Sequence, residues 1–188
     1  QTFVFMPVEG MSMLSLASAI EPLRSANRLT GRELYRWRAG SLNGQVMRAS
    51  NGIPLMPEPL ESMLDDADVL LVVGGARADM PNERSYHSVL RQAARSRIIV
   101  GALSTGTQIL AEAGLLDGYR CTIHWENIPA FREDFPEIEC TDKLFEIDRD
   151  RITCGGGAAA FDLMLHLISE RHGPELARGI ANQFHHER

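Results

Sequence analysis

The chain has 188 residues, enough for one domain with a sizeable core and too few for two ordinary ones. Apolar residues make up 44% and charged residues 23%, the balance of a soluble globular protein. The net charge of −6 argues against this chain binding a polyanion by itself, and no segment approaches the ~18 apolar residues of a membrane span.

Thr2 to Pro7 predicts a buried first strand, followed by the loop Glu9-Gly10-Met11-Ser12. Ser12 is placed to cap a helix whose apolar face is Met13, Leu16, Ile20 and Leu23. Asn27 to Glu33 is expected to be a polar turn. Tyr35 to Gly40 alternates as a strand does, Val46 to Asn51 predicts a second short strand, and Gly52 to Pro57 an extended segment limited by its prolines. Asp66-Ala67-Asp68 leads into Val69 to Val73, a strand buried on both faces and ended by Gly74-Gly75. Tyr86 to Ser96 is a helix. The order β-α-β, then β-α-β, predicts a parallel sheet with helices on both faces. Ligands of such sheets bind beyond the carboxyl ends of the strands.

The stretch from Arg97 to Leu110 organises the chain. A β-branched run passes through Gly101-Ala102-Leu103-Ser104-Thr105-Gly106 into a helix over Thr107 to Ala113, which Gly114 stops. Crowded small residues suit a sharp strand-to-helix elbow, which would lift Ser104 into solvent and aim free amides beside it. The match to G-x-S-x-G is imperfect, since Ala102 stands at the first Gly. The plainer reading is a buried turn with a small polar cap. Leu115 to Gly118 then forms a turn, Cys121-Thr122-Ile123 a short strand, and His124 to Phe131 a helical turn. Leu144 to Asp148 and Arg151 to Cys154 read as a hairpin. Gly155-Gly156-Gly157 opens a long helix bearing Phe161, Met164, Leu165 and Ile168, and a last helix runs from Glu175 to Gln183.

Ser104 and His124 are the first candidates for chemistry, with Glu126, Asp148 or Glu9 as an orienting acid. The alternative is a His124 that only caps the following turn. Amides after Gly10, Gly75 and Ser104 are expected to converge as anion donors. Gly155-Gly156-Gly157 lacks the phosphate-loop pattern and is expected to let a helix pack closely on the sheet. Trp125-Glu126 reads either as a seat for a cationic amine or as a core Trp beside a solvated Glu. His172, His185 and His186 read as surface residues, and no metal site or cofactor is expected. Three cysteines without C-x-x-C spacing argue against a disulfide framework or a zinc site and fit a reducing cytoplasm.

Val100-Gly101-Ala102-Leu103-Ser104-Thr105-Gly106, Ala113-Gly114-Leu115-Leu116-Asp117-Gly118 and Thr122-Ile123-His124-Trp125 together carry a resemblance. The chain resembles, from Phe3 to Arg188, the PfpI-like branch of the class I glutamine amidotransferase-like superfamily. More narrowly, it is similar to the N-terminal domain of GlxA-like transcription regulators of the AraC type. The resemblance implies an α/β, flavodoxin-like three-layer sandwich with a mainly parallel central sheet. It also implies a homodimer and a separate C-terminal double helix-turn-helix domain that contacts DNA. Both ends of the chain read as cut from a longer protein, and residues 1–188 as a single sensing and dimerising domain.

Enzymes of this family have Cys at the elbow, where Ser104 stands, and an acidic residue on the first helix, aligned with Ser15. A hydroxyl without a base is a poor nucleophile near neutral pH, so a non-catalytic, degenerate site is expected. The ligand set expected is Glu9, Gly10, Met11, Ser12, Gly74, Gly75, Ser104, Thr105, His124, Trp125 and Glu126. Relatives with the Ile-His-Trp-Glu motif look like regulators of amino-acid and quaternary-amine catabolism, which implies a small-molecule effector carrying a carboxylate and a cation. The competing expectation is a Ser-dependent hydrolase or amidase. A redox or glyoxal-handling role is disfavoured because no Cys stands at the elbow.

Overall fold

The computed structural model describes residues 1–75 and 83–186. The strands are β1 (Thr2–Pro7), β2 (Arg36–Ser41), β3 (Met47–Arg48), β4 (Pro54–Leu55), β5 (Glu58–Pro59), β6 (Val69–Val73), β7 (Ile99–Leu103), β8 (Arg120–Cys121), β9 (Glu139–Cys140), β10 (Phe145–Asp148) and β11 (Arg151–Cys154). The helices are α1 (Met13–Thr30), α2 (Glu83–Arg95), α3 (Gly106–Glu112), α4 (Ile128–Asp134), α5 (Ala159–His172) and α6 (Pro174–Gln183). Seven strands form the central sheet in the order β10-β11-β7-β6-β1-β2-β5. Every neighbouring pair is parallel except the hairpin β10-β11.

Alternation along the strands divides the core into two layers. Phe3, Phe5, Leu71 and Val73 face one side, where α1, α5 and α6 cover them. Val4, Met6, Leu70 and Val72 face the other, under α2, α3 and α4. The central strands therefore bury both faces, which is why they read as unbroken apolar runs. No described helix is long and apolar enough to cross a membrane.

The expected α/β architecture is present, with local differences. Asn27 to Thr30 is helix rather than turn. Asn27 holds the start of the next strand, accepting from the amides of Leu34 and Tyr35 and donating to the Tyr35 carbonyl. Gly31, at φ 64°, ends the helix in the left-handed conformation that glycine tolerates. Leu60–Asp66 forms a 3₁₀ helix whose Leu60 and Met63 fill the second core layer, an element with too short a period to show in the sequence. The strand expected at Cys121 to Ile123 pairs only through Arg120–Cys121, and its partner β9 was not foreseen.

β1 continues through α1 to β2 on one side, and β6 continues through α2 to β7 on the other. The chain thus diverges between β1 and β6, and the loops after both strands open at the carboxyl edge beside the elbow after β7. A fold of this kind places a ligand there.

Candidate functional site

The elbow is tight because backbone packs on backbone. Ser104 takes φ 60°, a region costly for a residue with a side chain, at about 1–3 kcal/mol. Its amide donates to the Cys154 carbonyl at 2.8 Å, which fixes the turn to β11. Gly156 presses against it: a Cβ there would lie 2.6 Å from Ser104 Cβ and 2.8 Å from Ser15 Oγ. Ser15 is fully buried and accepts from the Gly157 amide at 2.6 Å. The position aligned with the family's acidic residue therefore does adjoin the elbow, across Gly156.

The Gly155-Gly156-Gly157 stretch is thus part of the site wall. Its sequence signal was present, but three glycines ahead of a helix do not reveal which element they approach.

The three expected loops converge. Gly74 donates to the Leu103 carbonyl and accepts from the Ser12 amide at 2.9 Å. A side chain on Gly74 would collide with the backbone of Thr105 and Gly106, and one on Gly75 with the Gly10 carbonyl and the Met11 backbone. Thr105 Oγ1 donates to the Gly75 carbonyl at 2.6 Å.

Convergence does not leave every amide free. Gly10 donates to Arg48, Met11 to Val8 and Ser12 to Gly74. Ser12 Oγ caps the Ser15 amide, so of the amides expected as donors there those of Gly10, Met11, Ser12 and Ser15 are already taken. The amides of Gly75 and Thr105 donate to no described residue. The helix start expected after Gly75 lies outside the described residues.

Ser104 is only 4% exposed, so the elbow does not lift it into solvent as expected. Gly156 packs directly against it. Its hydroxyl makes no hydrogen bond with any described residue, His124 included.

His124 is half-buried at the start of a 3₁₀ turn, Trp125–Asn127, whose Asn127 amide donates to the His124 carbonyl at 2.8 Å. Its Nδ1 lies 3.7 Å from Glu126 Oε2. Of the three expected acids only Glu126 adjoins it. Asp148 accepts from Arg120 and Arg149, and Glu9 from the Arg48 amide.

Trp125 is 72% exposed, which excludes the core reading, and its ring centroid lies 6.0 Å from that of His124. His172 and His185 are exposed as expected, whereas His186 is half-buried and bonds Asp162 at 3.0 Å.

Thr122, absent from the expected ligand set, sets the position of the His124 segment. Its amide donates to Thr153 Oγ1, its carbonyl accepts from Thr107 Oγ1 on α3, and its hydroxyl donates to the Lys143 carbonyl at 2.8 Å. All three threonines are buried, and they tie that segment to the elbow helix and to β11.

Fold and site together define a flavodoxin-like α/β protein with a nucleophile elbow that carries a buried serine and, among the described residues, no base hydrogen-bonded to it. The sequence profile of the DJ-1/PfpI family matches residues 10–170, and the chain belongs to that family. It is 43% identical over 188 residues to the HTH-type transcriptional regulator GbdR of Pseudomonas aeruginosa, covering 100% of this chain and 51% of GbdR. It is 37% identical over 187 residues to the HTH-type transcriptional regulator GlxA of Rhizobium meliloti, covering 99% of this chain and 58% of GlxA. The crystal structure of an AraC family transcriptional regulator from Pseudomonas putida matches with a TM-score of 0.89 at 30% identity, over 97% of this chain and 98% of that one. The chain spans little more than half the length of these curated relatives, which are transcriptional regulators.

Proposed function

We propose that this domain is the non-catalytic effector-binding half of an AraC-type transcription regulator, that it dimerises, and that it works in the cytoplasm. The observation that carries the reading is the state of the elbow. Ser104 is buried, its hydroxyl bonds no described base, and its neighbour across Gly156 is Ser15 rather than an acid. Family membership and the regulator relatives support the same reading. DNA contact belongs to a separate helix-turn-helix half, in keeping with the net charge of −6 on this one.

The effector is a small amino acid or quaternary amine. The amides of Gly75 and Thr105, which donate to no described residue, receive its carboxylate together with the Ser104 hydroxyl. Trp125 and Glu126 receive the cation, with a cation–π contribution of about 0.5–2 kcal/mol. Glu9, Gly10, Met11 and Ser12 form the wall on the β1 side, Gly74 lies behind the elbow, and His124 borders the cation. Binding acts on the attached half only if one dimer arrangement holds the ligand more tightly than another.

Calorimetric titration with glycine betaine, carnitine, arginine and uncharged analogues tests this. Affinity for a zwitterion that falls in both Trp125→Ala and Glu126→Gln supports the site. Preference for an uncharged or purely anionic compound rejects it.

One observation favours a second reading, a Ser-dependent hydrolase or amidase: the positive φ of Ser104 is the backbone of a nucleophile elbow. Labelling by a fluorophosphonate probe, lost in Ser104→Ala, would establish it.

A further inference from the structure

β8 and β9 form a ladder of two rungs, and the second is Cys121 opposite Cys140. Residues in register on adjacent strands project to the same face. A strand spacing of ~4.8 Å puts their Cα atoms inside the ~4.4–6.8 Å range that a disulfide spans. Both are free thiols, buried in one apolar cluster with Ile123, Ile128, Phe131 and Ile138. We infer that Cys121 and Cys140 are a redox-active dithiol, which a hydroperoxide converts to a disulfide within the folded domain.

The two sulfurs are not equivalent. The Cys140 sulfur beside it pushes the Cys121 thiol up, with burial adding to the effect. The Cys121 thiol in turn holds the Cys140 thiol below its ordinary value against the opposing effect of burial, and Arg132 adds a positive field. Arg132 is fixed there, donating to the Cys140 carbonyl through Nε at 3.1 Å and Nη2 at 2.7 Å. Since the thiolate is the attacking form, Cys140 reacts first.

Its sulfur attacks one peroxide oxygen and the O–O bond breaks. That oxygen stays on sulfur as a sulfenic acid, and the other leaves with a proton as alcohol or water. The Cys121 sulfur then attacks the Cys140 sulfur. The S–S bond forms, the S–O bond breaks, and hydroxide departs with the Cys121 proton as water. Two thiols lose two electrons and the peroxide gains them.

Cys154 stands apart. It lies in β11, its registered partners are Leu103 and Phe145, and burial pushes its thiol up to about 12. The product has a structural address as well. The Thr141 amide donates to the Cys121 carbonyl at 2.8 Å, and Thr122 follows Cys121 directly. The bond would brace the base of the segment that carries His124.

The test exposes the folded domain to hydrogen peroxide, then counts thiols after unfolding and maps tryptic peptides without reductant. Trypsin separates the cysteines into residues 121–132, 133–143 and 152–171, so any link is unambiguous. The expected result is a fall from three thiols to one, a 121–132 peptide joined to 133–143 and lighter by two hydrogens, and reversal by dithiothreitol. Cys154→Ser should keep the link and Cys140→Ser should lose it. Unreacted thiols, Cys140 oxidised without a link, or a link that forms only in denaturant would each overturn the inference. The wild-type map decides the matter even if a variant folds poorly.

Discussion

At the elbow, Ser104, Gly74, Gly75 and Gly156 meet their neighbours backbone to backbone, whereas Trp125 and Glu126 stand largely in water. The His124 ring lies beside both the Trp125 ring and the Glu126 carboxylate. One half of the site is thus set by what cannot be added, the other by what side chains offer. Packed backbone fixes shape and tolerates no new atoms. An exposed segment changes chemistry at little cost to the fold. Substitutions that damage stability should therefore separate from those that change ligand preference.

The sharpest break falls on the glycines. Gly75→Ala places a methyl against the Gly10 carbonyl and the Met11 backbone, neither of which is a flexible side-chain end. It should cost about 3 kcal/mol or more by urea unfolding, at the upper end of overpacking effects. An unchanged midpoint would show that the loops yield and that the two halves do not differ.

Gly156→Ala meets Ser104 Cβ at 2.6 Å and also strains a φ of 83°. The expected loss is about 2–3 kcal/mol. Adding Ser104→Gly removes the opposing Cβ, so the double variant should lose less than the two singles together, by about 1 kcal/mol. Strict additivity would mean that the clash is not what Gly156 avoids.

Ser104→Gly alone frees a residue from a left-handed backbone while loosening the unfolded chain. Thermal unfolding should show a change within about 1 kcal/mol. Trp125→Ala should leave stability within about 0.5 kcal/mol, as exposed positions do, yet weaken a cationic effector several-fold. A stability loss larger than that of Ser104→Gly would make Trp125 a packing residue.

Asp148 tests the edge away from both halves. The Arg120 amide, and then the Arg149 guanidinium, hold its carboxyl below the usual value. A lowered folded pKa supplies stability above the unfolded pKa, about 3.9 for Asp, and that stability is lost as pH falls through the folded value. Asp148→Asn should therefore flatten the acid limb of the stability profile slightly. Identical acid limbs would remove Asp148 as a contributor.

The layers of the fold were legible because β1, β6 and β7 are apolar on both faces and the helices between them are amphipathic. The carboxyl edge followed from the order of elements. The state of the site was less legible, because it depends on contacts distant in sequence. Ser104 is covered by Gly156, 52 positions later, and no local pattern distinguishes a covered elbow from an open one. The amides of Gly10, Met11 and Ser12 find their acceptors in Arg48, Val8 and Gly74, partly in other loops, which no local pattern shows. β9 and the 3₁₀ helix Leu60–Asp66 are too short to carry a period. Trp125 was open to two readings because a dipeptide says nothing of burial.

The hydrogen bond from the Ser104 amide to Cys154 has a consequence for descent. It holds the elbow by a main-chain atom that every residue but proline possesses, so the bend does not depend on which side chain rides on it. Exchanging oxygen for sulfur there, as in Ser104→Cys, leaves that main-chain hydrogen bond in place. Ser15 would still stand across Gly156, so a chemistry that needs an acid beside the elbow takes a second exchange on a different element.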